Sequence, residues 1–219
     1  MVSAIIVTRG DVDLAPVLES LPTEWERIIW DNGAGKVVRH GPQGSGSEAV
    51  WAGVSDLIVF GRYAAIKHAS QDLIYCQDDD VIVSDPQAIV DTWLEMLALA
   101  EAEHDEDPAS FLVANMPQEF RPHYPDSCLV GFGSCFHRDA PSRAFARFEE
   151  EAGEAYIEKS PFFHRTCDVV FTTLMSRVLM DVPITHREFA SDPGRMWKQP
   201  GNVEERTRML NLARKVRDA

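Results

Sequence analysis

Three aspartates in a row, Asp78, Asp79 and Asp80, stand between two apolar runs, residues 73–76 and 81–83. The first run, Leu-Ile-Tyr-Cys, is rich in strand formers and too short for a helix of its own, so a buried strand is expected there. Three like charges beside buried apolar segments need something to offset them. A divalent cation is one such partner. Side chains alternate along extended backbone, which would send Asp78 and Asp80 to one side and Asp79 to the other. Two carboxylates on one side, at the end of a buried strand, make a hard oxygen site suited to Mg²⁺ or Mn²⁺. Such ions keep several waters and complete their shell with substrate phosphates. The plainer reading of the triplet is a solvated turn that shares in helix capping.

The remaining totals narrow the partners. A chain of 219 residues suits one domain, and 45% hydrophobic residues are enough for a proper core. No apolar run is long enough to span a membrane, and residues 1–10 lack the basic and apolar regions of a signal peptide. A cytoplasmic location without an integral membrane segment is therefore expected. The net charge of −14 opposes general binding to nucleic acid or to an anionic membrane. It leaves room for a phosphate-bearing ligand, because a bound metal inverts the local field. The four cysteines, Cys76, Cys128, Cys135 and Cys167, show no C-x-x-C spacing, and reduced, buried thiols are expected.

Read in order, residues 4–7 form a first buried strand. A helix with Leu14, Val17, Leu18 and Leu21 on its apolar face follows, and then a strand over 25–30 that stops at the turn signal Asp31-Asn32-Gly33. Strand, helix, strand argues a parallel unit. The glycine-rich span 34–53 reads as a loop with at most a short strand at Val37-Val38. Residues 57–60 read as a strand and 61–70 as a helix. A second helix is expected over 86–104, opened by Pro86, and strands over 111–114 and 128–136. In the latter, Gly131 and Gly133 suggest a bulge or a close approach to a ligand. Helices are expected over 141–152, 167–180 and 203–216, and a short strand over 183–186.

Several of these stretches fall into a known order. The opening A-I-I-V-T-R, the I-I-W-D-N-G at 28–33, the G-R-Y-A-A-I-K-H-A at 61–69 and the L-I-Y-C-Q-D-D-D that ends at Asp80 resemble a GT-A-type glycosyltransferase of the family 2 kind. The resemblance implies an α/β fold, a Rossmann-type, mostly parallel sheet flanked by helices in one domain. Residues 1–85 would be the nucleotide-sugar half, and residues 86–219 the acceptor half with the C-terminal helix. It implies transfer of a sugar from a nucleoside-diphosphate sugar, a UDP-sugar in the first instance, to a hydroxyl of a protein or glycan acceptor, with inversion and with Mn²⁺ or Mg²⁺ as cofactor.

The resemblance also implies site residues. Thr8, Arg9, Asp31, Arg62, Asp78 and Asp79 would meet the donor, Asp31 through the base and Asp78 near the ribose. Asp80 would hold the metal, with Asp78 and the late His186 as further ligands. Asp168 would be the catalytic base, although Cys167 replaces the acidic residue that usually precedes it. Tyr63 stands where the family has asparagine. Arg195 or Lys198 would neutralise the leaving diphosphate. Structural readings stand beside these: Asp168 as a helix N-cap, His186 as an ordinary surface histidine, and residues 195–198 as a solvent-exposed loop. Two other functions share the clustered carboxylates, a nucleotidyltransferase or metal phosphohydrolase and a non-catalytic nucleotide-sugar-binding module.

Overall fold

The computed structural model describes residues 1–41, 46–51, 56–103, 107–152, 161–187 and 199–219. Its frame is an eight-stranded sheet. The central strands are β1 (Val2–Thr8), β2 (Glu26–Asp31) and β5 (Leu73–Asp78), and β1 pairs in parallel with both others. All three are buried almost throughout, as strands covered on both faces must be. The helix α1 (Ala15–Glu19) makes the crossover between β1 and β2, so the parallel unit expected from the opening residues is present.

Beyond β2 the structure departs from the expected loop. Residues Lys36–His40 and Ser47–Trp51 form β3 and β4, two antiparallel strands that extend the sheet. Val37 and Val38 lie opposite Trp30 and Ile29, and this β-branched and aromatic cross-strand pairing outweighs the glycine content around it. Residues 57–60 are not a strand either. They form a 3₁₀ turn, Ile58–Phe60, which leads into the short helix α2 (Gly61–Ala65) and a second 3₁₀ turn, Ile66–His68.

After β5 come the small strand β6 (Val81–Val83), the helix α3 (Pro86–Glu103) and β7 (Phe111–Asn115). The strand expected over 128–136 is a 3₁₀ turn, Val130–Phe132, followed by β8 (Ser134–His137), because Gly133 takes a φ of 101° that a strand cannot continue. The helix α4 (Ala140–Ala152) follows β8. The helix expected over 167–180 is two elements: α5 (Pro161–Leu174) and the edge strand β9 (Ser176–Met180), which pairs in parallel with β7. Last come β10 (Ile184–His186) and α6 (Asn202–Arg217). The sheet order is β4-β3-β2-β1-β5-β8-β7-β9, in which β3 and β8 run against the rest, and β6 pairs with β10 in a separate two-stranded sheet.

Alternation along the strands divides the core into two layers. Ile5, Ile74, Leu112 and Phe136 face one layer, with Phe163, Cys167 and Phe171 of α5 and Met209 and Ala213 of α6. Ile6, Tyr75, Val113 and Cys135 face the other, with Val17 of α1 and Ile89, Val90 and Trp93 of α3. All four cysteines are buried and free, and burial pushes the thiols of Cys76 and Cys128 up to about 12. No described helix is long and apolar enough to cross a membrane.

Candidate active site at the carboxyl ends of the central strands

Strand register gathers most of the expected donor residues at one edge. Thr8 lies opposite Asp31, and Val7 opposite Asp78, so the last residues of β2, β1 and β5 stand side by side. In parallel sheets this carboxyl edge is where ligands bind. The loop after β1 closes against the turn after β2: Asn32 donates its backbone N–H to Thr8 O at 2.8 Å. Asp31 accepts the backbone N–H of Ala34 at 2.9 Å and lies 3.8 Å from Lys36, so its carboxylate shapes the turn into β3. Thr8 Oγ1 accepts the N–H of Gly10 at 3.0 Å. The Arg9 side chain is exposed and paired with Asp11.

Exposure alternates along the acidic triplet, although its backbone is not extended throughout. Asp79 is buried, whereas Asp78 and Asp80 are partly exposed. Extended backbone stops at Asp78, and Asp79 and Asp80 form a turn before β6. Gln77 fixes that turn from beneath: its amide donates to Val81 O at 2.7 Å, and Tyr75 OH donates to its carbonyl at 2.8 Å. From the other side, Arg187 donates its backbone N–H to Asp80 O at 2.8 Å. The antiparallel register of β6 and β10 sets His186 opposite Val81, next to Asp80, with its exposed ring 5.1 Å from that of Phe132. Buried Asn115 anchors the approach to β10. It donates to Val182 O at 3.0 Å and to Phe132 O at 3.1 Å, and accepts the N–H of Val182 at 2.8 Å.

Arg62 is the centre of the site. It is buried, with Nη2 2.6 Å from Asp78 Oδ1 and Nη1 3.1 Å from Asp168 Oδ2. Burial works against its charge, but Asp168 and Asp78 outweigh that and raise the guanidinium pKa. Tyr63 OH donates to Asp168 Oδ1 at 2.7 Å. Asp168 is largely buried, with 14% of its side chain exposed, and burial lifts its carboxyl above the ordinary range against the pull of Arg62 and Tyr63. Asp168 does not open a helix. It lies in the middle of α5, which begins at Pro161, so the N-cap reading falls and a buried carboxylate aimed at Arg62 takes its place.

The sequence suggests a bulge or a close approach to a ligand at Gly131, and in the structure the group against it is a side chain of the protein, Asp78. A Cβ at position 131 would overlap the Asp78 carboxylate. Tyr63, Gln77 and Asn115 were not singled out as supports of the site. Tyr63 alone left a trace, as a departure from the family pattern. Arg195, Trp197 and Lys198 lie outside the described residues.

Metal ligation is only partly prepared. Among the described residues no three His, Cys, Asp or Glu side chains converge as a metal cage. Asp78 gives one oxygen to Arg62, which leaves Asp80 as the carboxylate nearest His186 along the chain and sheet. An ion that keeps its waters and takes substrate phosphate oxygens needs no more than one or two carboxylates, and this donor set fits that requirement. The chain matches no family profile, no curated protein and no solved structure.

Proposed function

We propose that this chain is a metal-dependent glycosyltransferase that moves a sugar from a nucleoside-diphosphate sugar to an acceptor hydroxyl with inversion. The observation that carries the reading is the Asp78–Arg62–Asp168 chain, centred on the buried guanidinium, at the carboxyl edge of the parallel strands. Asp78 stands where a nucleotide would enter, and Asp168 lies on the other side of the same guanidinium. Two carboxylates in different environments, one partly exposed and one buried with a raised pKa, suit two different roles.

In this reading Thr8, Asp31 and the 78–80 turn hold the nucleotide. Asp80, with His186 beside it, would hold Mn²⁺ or Mg²⁺, which supplies charge neutralisation to the diphosphate. Asp168, oriented by Tyr63 and Arg62, accepts the proton of the attacking hydroxyl. Its raised pKa makes it a better base than an exposed aspartate. A melting-temperature screen of nucleoside diphosphates and their sugar conjugates tests the reading. A ligand that binds the native state alone stabilises it by mass action. The expected result is a shift that is larger with Mn²⁺ than with EDTA. No shift with any nucleotide would remove the reading.

A further inference from the structure

Arg206, in α6, has its guanidinium over the ring of Tyr124, 5.0 Å from the centroid. Its Nη2 is shut off from solvent and has no hydrogen-bond partner. Buried donors left unpaired are few in folded proteins, and each calls for an explanation. Here the surrounding acids are already matched. Glu205, its neighbour, accepts two hydrogen bonds from Arg165 of α5 at 2.8 and 2.7 Å. Asp126, in the same loop as Tyr124, is held by Arg214 and Arg217 of α6. Asp168 faces Arg62 and Tyr63. Among the described residues no carboxylate is paired with Arg206.

The position of Arg206 follows from the same contacts. Arg165 and Asp168 are three residues apart on α5 and so share a face. The clamp between Arg165 and Glu205 fixes α6 to α5 one residue before Arg206. Burial raises the Asp168 carboxyl, and the charge of Arg206 is one of those that pull it back. A guanidinium braced on an aromatic ring holds its donors in a fixed fork that suits a planar or tetrahedral oxyanion.

We infer that Arg206, backed by Tyr124, recognises an anionic group, carboxylate or phosphate, on the acceptor. This rests on Asp168 being the base, which puts the acceptor on its side of the site. The other source of such an anion is the leaving diphosphate, and the experiment separates the two. Inorganic phosphate is titrated in EDTA into protein labelled at arginine nitrogens, for the wild type, Arg206→Gln and Arg206→Lys, with the melting temperature as folding control. Nucleoside diphosphate with Mn²⁺ is titrated into the same proteins. The expected result is a phosphate-dependent shift of the Arg206 Nε–H signal and about a tenfold loss of phosphate affinity in Arg206→Gln. Arg206→Lys should recover part of the loss, and nucleotide affinity should stay equal in all three. Unchanged phosphate affinity in Arg206→Gln would overturn the inference. An equal loss of nucleotide affinity would overturn it too, by assigning Arg206 to the leaving group. Failure of nucleotide to bind any of the three proteins would remove the transferase reading and, with it, the acceptor role.

Discussion

Arg62 and Asp168 stand 106 residues apart in the chain (62 to 168) and meet inside the protein, Nη1 3.1 Å from Oδ2. Arg62 also holds Asp78, so one buried cation serves two carboxylates. Removal of one partner of a buried pair leaves an uncompensated charge, which costs more than the pair itself contributes.

Arg62→Met should therefore lower stability by about 3 kcal/mol, the low end for a buried pair, because Asp78 is more than a third exposed. Urea unfolding of the two proteins measures this. A loss below about 1 kcal/mol would mean that water already screens both carboxylates.

Gly131→Ala tests the packing behind Asp78. A Cβ would overlap the carboxylate, so either the 3₁₀ turn or Asp78 must move. Overpacking of this kind costs about 1–3 kcal/mol. Displacement of Asp78 should also weaken Mn²⁺-dependent nucleotide binding. Wild-type stability together with wild-type nucleotide affinity would show that the turn yields freely.

The third prediction concerns Glu26, at the opposite end of β2. It is buried, and burial favours the neutral acid, yet bonds from Ser3, Ser70 and Arg39 outweigh that and lower its pKa. A carboxylate with a lowered folded-state pKa stabilises the protein above its unfolded-state pKa, and that stability is lost as pH falls through the folded-state value. Glu26→Gln should be less stable than wild type at pH 7, by about 1–3 kcal/mol. The gap should begin to close below about pH 4.3, the ordinary glutamate value. Urea unfolding of both proteins from pH 7 to pH 3 follows it, and a gap independent of pH would contradict the argument.

Much of the strand framework was legible in the sequence, because β1 and β5 hold apolar runs, β2 carries Ile-Ile-Trp just before a turn signal, and the triplet after β5 stands out in charge. Where the reading failed, tertiary pairing overrode local composition. β3 and β4 read as a glycine-rich loop until Val37 and Val38 find Trp30 and Ile29 across the ladder. The stretch 167–180 reads as one helix, but Val178 is drawn into an edge strand beside Val113. In the site, Asp78, Asp80 and Asp168 could be named from their type and order. That Arg62 joins two of them could not, since its two partners lie 16 and 106 residues further on (62 to 78, and 62 to 168) and only the tertiary fold brings them together. Tyr63 shows only as a departure from the family pattern and Arg206 not at all, because their roles come from what they touch.

The most direct test of the account is turnover and donor affinity measured side by side on Asp168→Asn. Asparagine keeps the size of the side chain and an oxygen for the Tyr63 hydroxyl, but it cannot take a proton. With a sugar nucleotide and acceptor that the wild type uses, nucleoside diphosphate release should fall by about a hundredfold or more. Donor affinity should stay within about twofold, since Asp168 acts on the acceptor and a twofold change is well under 1 kcal/mol. Near-normal turnover in the folded variant would contradict the account and leave Asp168 as no more than a buried partner of Arg62.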